Sequence, residues 1–145
     1  VSGLISETRV LDAPPEAVFD LLASPRRHRE FDGSGSVRDV LPGTPERLGP
    51  GDEFGMAMRL GLPYRITNRV VEFEEGRRIA WRHFAGHRWR YLLEPVDGGR
   101  TRVTEQFDPT RVRRPWVYRV LGFDRRNAAA ITGTLDRLEA WARTR

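Results

Sequence analysis

The chain has 145 residues, 39% of them hydrophobic and 31% charged, a balance that supports one globular core and excludes extended disorder. It contains no cysteine, which excludes disulfides, thiolate metal sites and a cysteine nucleophile. All 25 residues counted as Lys+Arg are arginine, so the net charge is +5 with a pI near 10.8, and Schiff-base or P-loop chemistry, which needs lysine, is excluded.

Residues 1–145 are read as one domain. Acidic residues are spread among the arginines, and the densest basic cluster, Arg111, Arg113 and Arg114, is short. That pattern describes a solvated charged face rather than a basic stripe interleaved with aromatics, so nucleic acid is not an expected partner. No apolar run approaches a membrane span and the start of the chain lacks signal-peptide architecture, so a cytoplasmic protein without integral membrane association is expected.

Ile5 to Leu11 reads as a first strand. Asp12-Ala13-Pro14-Pro15-Glu16 then starts a helix, because proline suits the first turn and Glu16 complements the N-terminal dipole. Val18, Leu21 and Leu22 supply its buried stripe, Ser24-Pro25 stops it, and Arg26 to Phe31 forms a second short helix. Asp32-Gly33-Ser34-Gly35 is a turn leading to a strand at Ser36 to Leu41. Pro42 to Asp52, with three prolines and three glycines, is the longest loop.

Further strands are expected at Glu53 to Leu60, Arg65 to Glu74, Arg78 to Phe84, His87 to Val96 and Thr101 to Asp108. Short glycine-bearing turns separate the later strands, which favours an antiparallel meander over crossover connections. Alternation places Phe54, Met56 and Met58 on one face, with Ile79, Trp81 and His83, with Trp89, Tyr91 and Leu93, and with Val103, Glu105 and Phe107. The other phase carries Arg82, Arg88, Arg90, Arg102 and Thr104. One face is therefore apolar and aromatic, and the other is wet.

From Pro115 to about Arg143 the sequence predicts one long helix, with a stripe of Val120, Asp124, Asn127, Ile131, Leu138 and Ala142 flanked by Val117, Ala128 and Leu135. Gly122 within it is expected to mark a bend. Such a helix packed on a curved sheet leaves a cavity where the sheet bends away. Its entrance is expected between the turn at Phe31 to Ser36, the loops between strands and the first turns of the long helix.

The order of these elements, with the phrases Ala13-Pro14-Pro15-Glu16-Ala17-Val18-Phe19, Arg78-Ile79-Ala80-Trp81, Gly99-Arg100-Thr101-Arg102-Val103-Thr104-Glu105 and Leu135-Asp136-Arg137-Leu138, resembles the helix-grip (SRPBCC) superfamily. That superfamily includes START lipid-transfer domains, birch-pollen-allergen-like proteins and bacterial polyketide cyclase/dehydrase-like proteins. The resemblance covers essentially the whole chain. It implies an α+β fold in which a curved antiparallel sheet of about seven strands wraps a long C-terminal helix, with two short helices after the first strand. It also implies a hydrophobic or amphipathic ligand such as a lipid, fatty acyl group, polyketide or aromatic metabolite, held between sheet and helix. A minority of members catalyse cyclisation, dehydration or hydrolysis there.

The expected ligand wall is Phe54, Met56, Met58, Trp81, Trp89, Tyr91, Phe107, Val120, Asp124, Asn127 and Ile131. His83 and Glu105 are candidate bases, with Tyr91 or Asn127 as donor to developing oxyanion charge. The structural alternative is that Asp124 and Glu105 pair with arginines, Tyr91 anchors the helix and His83 lies at a rim. Arginine pairing is expected for Glu105, with its pKa lowered. His83 and His87 flank a turn but carry no ligand motif, so neither metal nor any other cofactor is expected. A monomer or homodimer fits equally. A binder, a cyclase/dehydratase-like enzyme and an interaction protein using the arginine-rich face stay open.

Overall fold

The computed structural model describes residues 3–83, 86–114, 116 and 122–145, with backbone alone at Leu60, Phe123 and Asp124. Strand β1 (Ile5–Leu11) leads into α1 (Pro15–Leu22), a 3-10 turn (Pro25–Arg27) and α2 (His28–Phe31). The chain then forms β2 (Val37–Val40), β3 (Glu53–Leu60), β4 (Leu62–Glu74), β5 (Arg78–Arg82), β6 (Arg88–Val96) and β7 (Arg100–Asp108), followed by helix α3 (Phe123–Arg143). The seven strands make one antiparallel sheet in the order β1-β7-β6-β5-β4-β3-β2. This is the helix-grip α+β arrangement.

Local chemistry explains the entry to α1. Pro14 is the N-cap in an extended conformation, Pro15 takes the first helical position where no N–H is required, and the Ala17 and Val18 amides both donate to the Pro14 carbonyl at 3.1 Å. The Thr101 hydroxyl donates to the Ala13 carbonyl at 2.7 Å, tying the start of α1 to β7.

Alternation sets the two faces of the sheet, and one irregularity in β4 refines it. Its even-numbered residues up to Val70 face inward, but the pairing with β5 shifts between Val70 and Glu72. The extra residue reverses the parity, so Phe73 returns to the core against Phe19 while Glu72 turns outward. There its carboxylate accepts from Arg88 at 2.7 Å and Arg90 at 2.7 Å, and Arg90 also reaches Asp108 at 2.9 Å. Hydrogen bonds from Arg90, opposed by partial burial, hold the Glu72 carboxyl below the usual range.

The inner face packs on α1 and α3 through one core cluster that includes Leu11, Phe19, Leu22, Ile79, Val103, Ile131, Leu135 and Leu138. Arg9 on β1 holds α3 through Asp136 at 2.8 Å and Glu139 at 3.2 Å, and the Thr132 hydroxyl donates to Glu7 at 2.6 Å. A second attachment comes from glycine. The turn at Gly33 lies directly on α3 at Gly133: a β-carbon on Gly33 would sit 2.2 Å from the Thr134 amide nitrogen and 2.4 Å from the Ala130 carbonyl oxygen. The Gly33 amide donates to the Thr134 hydroxyl at 2.8 Å.

Two expectations change, and the expected loop gains an anchor. Helix α3 runs from Phe123, and Gly122 is its N-cap with φ 74°, not a bend in its interior; that left-handed conformation is incompatible with a right-handed helix running through it. The expected stretch from 117 to 121 lies outside the described residues. Ala128 is exposed, and Thr134 takes a buried place on the stripe. The Pro42 to Asp52 loop carries a buried anchor, Leu48, whose amide donates to the Ala23 carbonyl at 2.8 Å, while Arg47 pairs with Asp20 and Glu75 at 2.8 Å each.

Because backbone atoms face Gly33, the neighbour cannot yield by changing rotamer. Gly33→Ala is expected to destabilise the protein by about 1–3 kcal/mol, the usual cost of overpacking, measured by urea denaturation.

Candidate functional site

The inner face does not pack solid. Between the sheet, the turn after α2 and the N-terminal half of α3 lies a cavity of about 390 Å³. Its aromatic wall comes from neighbouring strands. Trp81, Trp89 and Phe107 occupy consecutive paired positions across β5, β6 and β7, and Tyr91 and Glu105 form the adjacent pair. Trp81 packs edge-on to Phe54 and stacks on His28 at 4.8 Å between ring centres, and Trp89 meets Phe107 at 5.0 Å.

Most of the residues anticipated as ligand wall meet here: Phe54, Met56, Met58, Trp81, Trp89, Tyr91, Phe107 and Asn127 line the cavity, as do His83 and Glu105. Ile131 is fully buried in the core behind the wall and does not line it. Val120, and the side chain of Asp124, lie outside what the structure describes. The turn contributes Phe31, Asp32, Ser34 and Ser36, and the first turns of α3 contribute Arg126 and Asn127, where the entrance was expected. The inward phase of β4 shows the direction of opening, since Asn68 is buried, Ile66 partly so, Tyr64 41% exposed and Leu62 78% exposed.

Two polar residues were not anticipated on the wall. His28 is buried, its Nε2–H donating to the Leu22 carbonyl at 2.8 Å. Asn68 is also buried, and its Oδ1 has no hydrogen-bond partner among the described residues. The signal for Asn68 was its phase, because Ile66 and Val70 on either side also face inward. His28 had no comparable signal, since a four-residue helix sets no stripe.

The electrostatics of Glu105 overturn the expectation of an arginine partner. Its carboxyl is 2% exposed; Oε2 accepts from the Tyr91 hydroxyl at 2.9 Å, and Oε1 has no partner among the described residues. Arg90 and Arg102 belong to the opposite phase of β6 and β7 and point to the outer face, while Arg9, which shares the inner phase of β1, is engaged by Glu7, Asp136 and Glu139. Directly across the β1/β7 ladder stands Glu7, which already holds Arg9 and Thr132. Burial, then the nearby charges of Asp32 and Glu7, push the Glu105 carboxyl well above the usual range, although the Tyr91 bond pulls the other way. Tyr91 is likewise pushed up by burial and by Glu105.

The histidines are neutral for the same reason. Burial lowers His83 and His28 to about 4, and burial with the adjacent His83 lowers His87 to about 3. The His83 and His87 rings meet edge to face at 4.7 Å. No cluster of three or more metal-binding side chains occurs among the described residues. The arrangement offers an apolar, aromatic chamber with a few neutral hydrogen-bonding groups.

Opposite pH signatures follow. Glu105, raised when folded, favours the native state fully below its ordinary value of 4.5 and withdraws that stability as pH rises through its folded pKa. Glu105→Gln is therefore expected to raise the thermal midpoint at pH 8 and to change it little at pH 4, measured by calorimetry. The lowered histidines act the other way: stability present above 6.5 is lost as pH falls toward 4.

Residues 3–143 match the family described as "Polyketide cyclase / dehydrase and lipid transport". The chain is 41% identical over 149 residues to the uncharacterized protein Rv0088 of Mycobacterium tuberculosis, a match covering 99% of this chain and 66% of that protein. In fold it is similar to protein Ms6760 from Mycobacterium smegmatis, with a TM-score of 0.71 at 16% identity over 97% of this chain and 91% of that one. Protein NE0264 from Nitrosomonas europaea gives a TM-score of 0.70 at 19% identity over 97% of each chain. The family match, together with a sheet and helix that enclose an aromatic cavity, means that this chain belongs to the polyketide cyclase/dehydrase and lipid transport family.

Proposed function

We propose that this protein binds a hydrophobic small molecule of aromatic or polyketide-like character in the cavity between the sheet and α3. The observation that carries the reading is the cavity itself, about 390 Å³ walled by Phe54, Trp81, Trp89 and Phe107 in a region where close packing is the rule. A volume of that order accepts a fused-ring molecule. The helix is fastened to β1 through Arg9 and to the turn after α2 through Gly33.

A second reading, acid–base catalysis in the same cavity, is favoured by one observation: Glu105 lines the cavity with a buried carboxyl whose Oε1 has no partner among the described residues. A carboxyl raised by burial is suited to exchange a proton with a bound substrate, Tyr91 steadies its other oxygen, and neutral His83 is a second proton acceptor on the wall.

Native mass spectrometry of the purified protein, followed by extraction, tests both. Retention of a small apolar molecule is expected, and Ala130→Phe, which puts a ring into the cavity from α3, is expected to abolish it without loss of folding. Failure of the wild-type protein to retain or take up any apolar molecule would remove the binding reading. If the extracted molecule is returned to fresh protein, a change in its mass or chromatographic retention that is lost in Glu105→Gln would establish catalysis; a molecule unchanged in both leaves binding alone.

A further inference from the structure

A second concavity lies outside the aromatic cavity, an open groove between α2, the turn and strand β2 that follow it, and α3. Three arginines line it, each from a different element: Arg29 on α2, Arg38 on β2 and Arg137 on α3. All three are exposed, and none forms an ion pair or a side-chain hydrogen bond with a described residue. By contrast Arg9, Arg47 and Arg90 each hold at least two acids. The acids that share the groove are already engaged. Glu30 accepts from Arg27 at 3.1 Å, and Asp32 accepts from the Ser34 hydroxyl at 2.8 Å and from the Val37 amide at 3.0 Å.

The backbone fixes the positions from which these arginines extend. Gly33 lies against Gly133, so the turn and α3 are held together at one point, and Arg137 stands four residues beyond Gly133 on the same face of the helix. The Asp32 bond to the Val37 amide sets the start of β2 and with it the place of Arg38. The bond from His28 to the Leu22 carbonyl holds α2, which carries Arg29.

We propose that this groove binds a phosphate group, free or at the end of a phosphate monoester. The inference is independent of the apolar ligand proposed for the cavity. One exposed guanidinium gains little from an anion in water, but three that line a single groove share one partner. A carboxylate brings one charge and two oxygens in a plane, which a single guanidinium fork satisfies. A phosphate monoester brings close to two charges at neutral pH and three acceptor oxygens pointing in different directions. That set matches planar donors arriving from a helix, a strand and a second helix, and it offsets the mutual repulsion of the three cations.

Isothermal titration calorimetry at neutral pH and low salt tests this with inorganic phosphate, glycerol 3-phosphate, acetate, and phosphatidylcholine vesicles with and without phosphatidate. Both soluble phosphates are expected to saturate one site, with acetate about tenfold weaker, the scale of one charge-assisted hydrogen bond, and added sodium chloride is expected to weaken each. Arg38→Gln and Arg137→Gln, both at exposed positions, are each expected to weaken glycerol 3-phosphate by about tenfold. Arg65→Gln, which removes the same charge from an exposed site on β4, is expected to leave the affinity within about twofold of wild type. Binding of the soluble phosphates that the two groove variants weaken supports the inference with a soluble ligand. Binding of phosphatidate vesicles alone, weakened by the same variants, supports it with a lipid headgroup as the source of the phosphate. No saturable binding of either, acetate binding as tightly as phosphate, or an equal loss in Arg65→Gln overturns it. The apolar ligand of the cavity stands or falls by extraction, whichever of these results is obtained.

Discussion

Every strand from β3 to β7 has to satisfy two opposite demands, because alternate side chains must enter a dry interior and a wet, arginine-rich surface. The period of two separates them: Trp81, Trp89, Tyr91 and Phe107 go one way, and Arg82, Arg88 and Arg90 go the other. The bulge at Val71 is where the separation would otherwise fail. Without it Glu72 would enter the core as an unpaired carboxylate, and Arg88 and Arg90 would lose the anion that joins them. The same bulge brings Phe73 back to the core, so one extra residue serves both faces.

That separation also decides the chemistry of the interior. Arginines are abundant in the sequence, yet the sheet delivers them to the outer face or, at Arg9, to the seam between β1 and α3. Among the described lining residues the one arginine is Arg126, exposed on the first turn of α3, while Glu105 and His28 on the wall are buried and His83 and His87 partly so. Groups in such a space minimise their cost by being neutral, so Glu105 is raised and His28, His83 and His87 are lowered.

The cavity exists because the helix is held at two lines and not across the full face. On one side Arg9, Glu7 and Thr132 join β1 to α3; on the other Gly33 and Gly133 let two backbones meet. Asn127 and Ala130, on the N-terminal half of α3, are left facing the opening, whereas Ile131, Leu135 and Leu138 close the core toward its C-terminal end. The mouth therefore lies at the N-terminal end of the helix, which Gly122 caps.

Much of this was legible in the residues alone. Proline placement, glycine turns and strict alternation specify the strands, α1 and the aromatic face, because each is a local property of consecutive residues. The wall residues Phe54, Met56, Trp81, Trp89 and Phe107 follow from phase alone. Other properties depend on neighbours distant in the chain. Whether Glu105 meets an arginine is settled by the outward face of Arg90 and by the acids that engage Arg9, and Glu7 stands opposite only because β1 pairs with β7. Gly122 reads as a helix interior until its φ of 74° is seen. The sequence by itself determined the two-faced sheet and its aromatic lining, since alternation and turn chemistry act over a few residues. Only the tertiary structure decided the charge state and the open space, since solvation and packing depend on groups brought together from opposite ends of the chain.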